Sequence, residues 1–277
     1  MVALSLLSSN PVVGGAPRTG GPRRAPSARM CGHNVGMDQP TQDTALEPHA
    51  PEGETVTLAR VTGETGGDLV LRRSGAHYEI YSNGLFLMDT RDGTSEREMV
   101  RASLAALPAG RSRSRVLIGG LGVGFSAREA LDHSRVSVVD VVELEPHVIA
   151  WHDGELGEAA EYVHRDPRCR VLNTDIVAWL EEAASADDPV RYDVICLDTD
   201  NGPDWTVVEN NNRLYEASGL DRLTRLLTPG GVLAFWSANA VPAFEESLRG
   251  RFASVEVIEV PVARGVPDTV YLAREPR

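Results

Sequence analysis

The sequence predicts a doubly wound α/β domain on a mostly parallel sheet, preceded by a small antiparallel β domain. Two observations indicate the larger domain. From residue 115 onward, strand patterns alternate with helical patterns, and the strands are almost continuously apolar, as in a parallel sheet covered on both faces. The third observation is the alternation of apolar and polar side chains over residues 55–90, which indicates antiparallel strands with one solvated face.

The small domain is predicted to contain four short strands joined by tight turns. The strand patterns cover residues 55–61, 68–72, 77–81 and 85–88. The pairs Gly66-Gly67 and Asn83-Gly84 are typical of two-residue hairpin turns. We therefore predict a β-hairpin domain over residues 51–94.

The larger domain is predicted to span residues 95–277. Its predicted strands are 116–118, 136–143, 169–172, 192–197, 232–236, 255–260 and 269–273. Its predicted helices begin at Ser95, Ser126, Pro146, Ile176, Gly219 and Pro242. Ser95 matches an N-cap with Glu98 as its capping-box partner, residues 229–231 read as a turn, and the last two strands are expected to pair antiparallel across Gly265. Such sheets bind ligands beyond the carboxyl ends of their strands, so the residues there are candidates for a site.

Composition and charge exclude several classes of protein. The 277 residues carry a formal charge of −13, which disfavours a nucleic-acid partner and favours cationic ligands, with plain solubility as the alternative explanation. All the basic side chains are arginine, so a Schiff-base lysine and a P-loop lysine are both excluded. No apolar run is long enough to cross a membrane.

Neither residues 1–50 nor the cysteines indicate a catalytic or metal-binding role. Residues 1–50 are rich in Pro, Gly, Ser, Arg and Thr without periodicity, so we expect disorder or a start codon assigned too far upstream. Cys31, Cys169 and Cys196 show no metal spacing, and we expect reduced cysteines, no bound metal and a cytoplasmic location.

A glycine-rich turn leaves the first parallel strand and enters a helix. Gly120, Gly122 and Gly124 allow the backbone to turn sharply and to approach a ligand closely, and the helix N-terminus adds a partial positive charge. The turn predicts a nucleotide site. Gly122 and Gly124 together with Ala127 also satisfy the dinucleotide fingerprint, so a NAD site and a purely structural turn remain open.

Acidic residues follow the next strands. Glu143 ends the second parallel strand, 19 residues beyond Gly124, where a carboxylate can accept both hydroxyls of a ribose; Leu144 follows it. Asp175 follows the third strand, where it can accept an adenine amino group while Ile176 packs on the ring; a helix N-cap is the alternative role.

The fourth strand ends in a pair of aspartates. Asp198 and Asp200 can hold a cation or accept a proton from an attacking amine or hydroxyl, with a turn built on their side chains as the alternative. The segment that follows, with Asn201 and Trp205, extends to Tyr215 and is a candidate lid.

Four stretches carry a family resemblance. They are RVLIGGLGVGFSARE at 115–129, VELE at 142–145, YDVICLD at 192–198 and LTPGGV at 227–232. With the small β domain ahead of Ser95-Glu96-Arg97-Glu98, they resemble the spermidine synthase family of the class I methyltransferase fold over about residues 55–275.

This resemblance implies a Rossmann-like sheet with a reversed last strand, and a site for S-adenosylmethionine or decarboxylated S-adenosylmethionine. It implies that Glu143 binds ribose, that Asp175 binds adenine and that Asp198 is the base near an amine. It also suggests a homodimer formed through the small domain.

Three positions differ from the family pattern. Val123 replaces an aspartate that holds the ammonium of the donor, Glu96-Arg97 replaces a Tyr-Gln pair, and the aspartate pair is shortened to Asp198-Thr199-Asp200. These differences weigh against ordinary putrescine aminopropylation.

Three functions remain open at this point. The first is a transferase that moves an aminopropyl or methyl group from an adenosyl sulfonium to a small molecule, such as a cationic amine. Its predicted acceptor-binding residues are Glu98, Asp200, Asn201, Trp205 and Tyr215, and its predicted catalytic residues are Asp198 and Asp200. Glu96 could join Glu98 and the two aspartates in an acidic pocket for an amine, or Arg97 could instead bind a carboxylate. The others are a catalytically idle nucleotide-binding module and a NAD-dependent oxidoreductase.

Overall fold

The computed structural model describes residues 54–199, 201–206, 208–263 and 265–277. Three of the sequence-based expectations lie outside these ranges: the irregular head at 1–50, Cys31 and Asp200. Among the described residues, no helix is long and apolar enough to cross a membrane.

The small sheet is antiparallel, as predicted. Its four strands pair in the order β1-β2-β3-β4. They are β1 (Thr55–Thr62), β2 (Asp68–Ser74), β3 (His77–Ser82) and β4 (Leu85–Asp89). Both predicted turns carry positive φ angles, at Gly66 and Gly67 and at Asn83 and Gly84. Leu71 and Ile80 of this sheet are buried in the same core as the larger domain.

The larger sheet has seven strands in the order β10-β11-β9-β8-β5-β6-β7. Its strands are β5 (Ser114–Gly119), β6 (Val136–Glu143), β7 (Cys169–Asn173), β8 (Tyr192–Leu197), β9 (Leu227–Ser237), β10 (Phe252–Val260) and β11 (Asp268–Pro276). The first five of these strands pair in parallel, whereas β11 runs antiparallel to both β9 and β10. The predicted doubly wound sheet with a reversed last strand is therefore confirmed.

Helices cover both faces of this sheet, and each face has its own apolar core. The helices are α1 (Thr94–Ala105), α2 (Phe125–Asp132), α3 (Pro146–Asp153), α4 (Ile176–Ser185), α5 (Asn212–Tyr215), α6 (Ala217–Arg225) and α7 (Pro242–Arg251). Strand order reverses at β5, so the crevice beyond the ends of β5 and β8 is the position at which this fold binds ligands.

The predicted cap of the first helix is wrong. Gly93 is the N-cap of α1 and makes no side-chain cap, and Ser95 lies inside the helix. The Ser95 hydroxyl donates instead to Asp268, with Oγ 2.7 Å from Oδ2, and Glu98 pairs with Arg101. Ser95 lies within the first turn rather than at the N-cap, and its hydroxyl proton makes a charge-assisted hydrogen bond to a buried carboxylate.

The elements around residues 217–231 also differ from the prediction. The helix predicted to begin at Gly219 and reach Leu227 runs two residues earlier, because β9 already begins at Leu227. The predicted turn at 229–231 lies within β9 as an irregularity of the pairing: Leu227 pairs with Tyr192, but Val232 pairs with Val194. The turn residues therefore bulge out of a strand rather than precede it.

Candidate functional site

One cavity lies between the carboxyl ends of the central strands and the small sheet. Residues from the tips of β5, β6 and β8 form its floor, and the turn between β1 and β2 contributes Thr65. The predicted site residues that line it are Gly120, Gly122, Glu143, Leu144, Asp175, Ile176 and Asp198. Val208 and Asn211 of the predicted lid segment also line it. The tips of separate strands thus meet at one concave surface, as the sequence predicts.

The glycine turn packs tightly against the end of β8. Gly120 has a φ of +93°, and a Cβ added there would lie 2.4 Å from the carbonyl oxygen of Asp198. The backbone N–H of Asp198 in turn donates to the Gly119 carbonyl at 3.0 Å. Glycine at 120 therefore permits both the left-handed backbone and the close approach that sets the position of Asp198.

Replacing Gly120 with alanine is expected to lower the free energy of unfolding by about 2–4 kcal/mol, because the new methyl group meets backbone and the backbone is strained. Gly110→Ala is the matched control, since Gly110 has a φ of +85° with nothing within 4 Å of an added Cβ. Urea denaturation of both variants separates the clash from the strain. Equal losses in the two variants would contradict the close approach at Gly120.

Glu143 is bound to the glycine turn through its carboxylate. Oε2 accepts the Leu121 N–H at 2.8 Å, and Oε1 accepts the N–H of Glu145 at 2.7 Å. Burial raises the pKa of Glu143, and these backbone N–H groups oppose that shift by stabilising the charge. Each carboxylate oxygen has a further lone pair, so the group can still accept hydroxyls from the cavity.

Asp175 is the predicted helix N-cap, and it also faces the cavity. It is the N-cap of α4, where Oδ1 accepts the Ala178 N–H at 2.8 Å, and it also lines the cavity. Asn210 of the segment after β8 lies 3.4 Å from Oδ2. A cap that faces a cavity is a carboxylate whose orientation is fixed before any ligand arrives.

Five of the predicted site residues are not among the described lining residues. Gly124 belongs to the turn but faces away from the cavity, towards Ala160 and His152. Glu98 is paired with Arg101 at 2.9 Å on the outer side of α1. The remaining three are Asn201, Trp205 and Tyr215.

Each of these three residues has a different environment. Asn201 is buried, and its carbonyl accepts the Ala238 N–H at 2.8 Å. Trp205 lies in a turn in which its N–H donates to Gly202. Tyr215 packs in the core, with its ring centroid 5.6 Å from that of Phe244. Sequence spacing locates the segment after β8 but does not show which of its side chains face inward.

Two acidic lining residues were not among the predicted site residues: Glu145, and Glu96, which the sequence suggested only as part of an acidic pocket. Glu145 is the N-cap residue of α3 without a side-chain cap, and its Oε2 accepts the N–H of Glu64 in the β1–β2 turn at 2.8 Å. Glu145 therefore ties the small sheet to the edge of the cavity. The sequence contained a signal for Glu96. Residues two apart on a helix point to opposite sides, so only one of Glu96 and Glu98 can face the cavity, and in α1 that residue is Glu96.

Glu96 belongs to a buried polar cluster at the start of α1. The Ser95 hydroxyl lies 2.7 Å from Asp268 and 3.0 Å from Glu96, and it accepts the indole N–H of Trp236 at 3.0 Å. Burial raises the pKa of Glu96 and that of Asp268. Two carboxylates thus share one hydroxyl beside the cavity.

The charged side chains that line the described cavity all have the same sign. They are Glu96, Glu143, Glu145, Asp175 and Asp198. The nearby Arg97 is not among the described lining residues; its guanidinium lies over the Phe125 ring at 4.9 Å and 3.9 Å from Glu129. A cavity lined in this way attracts cations and repels carboxylates.

Comparison with known proteins agrees with this fold. Residues 96–248 match the family model described as the spermine/spermidine synthase domain. A curated relative, polyamine aminopropyltransferase 2 of Streptomyces coelicolor, is 34% identical over 188 residues, which cover 67% of this chain and 32% of that protein. The chain spans about a third of the length of that relative.

Two solved structures share the fold at low sequence identity. A spermidine synthase in complex with the transition-state analogue AdoDATO has a TM-score of 0.65 and 16% identity, covering 79% of this chain and 73% of that one. Human methyltransferase-like protein 13 in complex with SAH has a TM-score of 0.52 and 21% identity, covering 65% and 82%. The family match extends over more than half of the chain, and we conclude that the chain belongs to the spermine/spermidine synthase family.

Proposed function

We propose that this protein transfers an aminopropyl group from decarboxylated S-adenosylmethionine to a small amine. Its curated relatives are named polyamine aminopropyltransferases, which supports both the group and the class of acceptor. The observation that carries the proposal is the cavity itself, whose described charged lining consists of carboxylates alone. Both substrates of this reaction are cations, so this lining suits both of them.

The same lining favours the decarboxylated donor over the intact one. Intact S-adenosylmethionine carries an α-carboxylate, which would lie among five acidic side chains without an arginine to meet it in the described lining. Like charges at close range cost free energy, so methyl transfer from the intact donor is the weaker hypothesis. The alternative in which Arg97 binds a carboxylate loses support, because Arg97 is not among the described lining residues and its guanidinium stacks on Phe125.

Different residues of the site bind the substrates and accept the proton. The Glu143 carboxylate accepts the ribose hydroxyls, and Asp175 accepts the adenine amino group while Ile176 packs on the ring. A bound sulfonium donor supplies a carbon that a neutral amine attacks, with the carbon–nitrogen bond forming as the carbon–sulfur bond breaks. Asp198 orients the amine and accepts the proton that it loses. Glu96 holds a positive charge elsewhere on the acceptor.

A second candidate, an idle adenosyl-binding module, is favoured by one observation. Val123 lines the cavity with an apolar side chain at the position where the resemblance expects a donor-binding aspartate. A product screen by mass spectrometry separates the two candidates. The purified protein is given decarboxylated S-adenosylmethionine with a series of diamines and polyamines, and intact S-adenosylmethionine and NAD in parallel. Methylthioadenosine together with an aminopropylated amine supports the proposal; ligand binding without any transfer supports the idle module.

Glu96→Gln is expected to raise the KM of the amine acceptor about tenfold, which corresponds to about 1.4 kcal/mol of lost attraction. The affinity for methylthioadenosine should change little, because the adenosine is expected to bind at the other side of the cavity. Glu98→Gln is the matched comparison, since Glu98 lies two residues away on the same helix and is paired with Arg101. A larger effect at Glu98 than at Glu96 would favour the sequence-based assignment over the structural one.

The pH dependence gives a second check on Glu96. Burial raises the pKa of this carboxyl group, so it loses its charge as the pH falls through that raised value. The KM of the amine should therefore rise towards acid pH in the wild type. The glutamine variant has no charge to lose at this position, and its profile should be flatter.

A further inference from the structure

A buried histidine that is not among the described lining residues of the cavity contacts the glycine turn. His152, on α3, is fully buried, and its Nε2 lies 2.9 Å from the carbonyl oxygen of Gly122. A carbonyl only accepts hydrogen bonds, so Nε2 carries the proton and donates it. Nδ1 is buried and has no hydrogen-bond partner in the described part of the chain. The neutral imidazole protonated on Nε2 therefore fits this environment.

The peptide that His152 contacts is one that glycine leaves free to reorient. Gly120, Gly122 and Gly124 all have positive φ angles, and a glycine-rich turn can rotate its peptide planes at little cost. No cis peptide bond occurs among the described residues. In a trans peptide the carbonyl and the following N–H point in opposite directions, so the bond to His152 turns the N–H of Val123 away from α3. Val123 lines the cavity.

Glu143 holds the same turn from the cavity side. Its Oε2 accepts the Leu121 N–H, while His152 holds the carbonyl of the next residue. The imidazole is also packed against the end of the turn, since a Cβ added at Gly124 would lie 3.2 Å from its Cε1. The turn is therefore fixed on one side by a carboxylate that contacts the ligand cavity, and on the other by a side chain that does not.

We propose that His152 is a positioning residue whose hydrogen bond to Gly122 selects the one orientation of the glycine turn that binds the adenosyl group. This inference rests on the proposed adenosyl site. Without the hydrogen bond from His152, the turn populates other peptide orientations. The apparent affinity for the adenosyl group then falls in proportion to the fraction of molecules whose turn keeps the binding orientation. The expected loss for one hydrogen bond is about fivefold to tenfold in the dissociation constant.

Calorimetric titration of full-length protein with methylthioadenosine tests the inference. His152→Leu removes the donor with little change in volume, and His152→Gln retains an N–H at a similar reach. His164→Leu is the control: His164 lies beside His152, with ring centroids 6.3 Å apart, but its Nε2 contacts Asp153 rather than the turn. We expect affinity to fall about fivefold to tenfold in the leucine variant at 152 and to be largely restored in the glutamine variant, with His164→Leu close to wild type.

Thermal unfolding of each variant separates positioning from stability. If His152 is merely structural, His152→Leu lowers the melting temperature but leaves the dissociation constant of the folded protein unchanged, and that result would overturn the inference. If His152→Leu does not fold, His152→Asn takes its place, because the shorter side chain of asparagine does not reach the Gly122 carbonyl. Failure of the wild type to bind any adenosyl ligand overturns the proposed function itself, whereas wild-type binding with an unaffected His152 variant overturns only this inference.

Discussion

Replacing Asp198 with asparagine is expected to lower kcat for aminopropyl transfer by about 10²–10⁴-fold, the range found when a general base is removed. Asparagine keeps the size of the side chain but cannot take a proton from the attacking amine. The backbone of Asp198 is fixed by its bond to Gly119 and by its contact with Gly120, so the substitution should leave the cavity unchanged in shape. The dissociation constant of methylthioadenosine should stay near the wild-type value.

The control for this variant is Asp187→Asn, which removes the same charge from an exposed position on the loop after α4. Rates measured with saturating decarboxylated S-adenosylmethionine isolate the chemical step from donor binding. Normal turnover in Asp198→Asn would remove Asp198 from the mechanism. Loss of turnover together with loss of methylthioadenosine binding would instead make Asp198 a ligand-binding residue.

Most of the fold was predictable because its signals are local. The boundaries predicted for β6 and β8 agree with the observed ones, since both strands are mostly apolar and charged residues lie at or next to their ends. The errors occurred where a residue far away in the sequence determines the contacts of a side chain. Ser95 does not cap the helix as predicted but donates to Asp268, which is 173 residues further along the chain. A capping rule based on neighbouring residues contains no information about such a partner.

The site was predictable to the extent that topology alone determines it. Glu143, Asp175 and Asp198 each follow a parallel strand, and parallel strands bring their carboxyl ends to one edge, so their meeting follows from the strand order. The listing of Glu98 and of Tyr215 as site residues depended on side-chain directions that the sequence alone did not determine. His152 gave no signal at all, because a single histidine in an apolar helix does not show what it contacts.

The acidic cavity has a consequence for the protein without its substrates. Burial raises the pKa of Glu96 and Glu143, which line the cavity, so the folded protein binds protons more readily at these groups than the unfolded chain does. Their charged forms therefore reduce stability as the pH rises through the raised values. A cationic ligand offsets this cost when it binds, so the carboxylates that weaken the empty site are the ones that strengthen the loaded one.

Glu143→Gln is expected to weaken methylthioadenosine binding about 100-fold, because charge-assisted hydrogen bonds to the two ribose hydroxyls are each worth about 1.5 kcal/mol or more. The amide also presents an NH₂ group to either Leu121 or Glu145, whose N–H groups now donate to the carboxylate. The loss should therefore appear in the dissociation constant measured by calorimetry, with the exposed Glu155→Gln as the control for a glutamate-to-glutamine change elsewhere.

This result would be the reverse of the one expected for Asp198→Asn, in which turnover is lost and affinity is kept. The two variants together locate the adenosine on one side of the cavity and the proton transfer on the other. If Glu143→Gln binds methylthioadenosine as tightly as the wild type does, the carboxylate serves only to hold the glycine turn, and the ribose must lie elsewhere. Equal losses of affinity in both variants would mean that the two carboxylates contact the same part of the ligand, which the separation of roles proposed above does not allow.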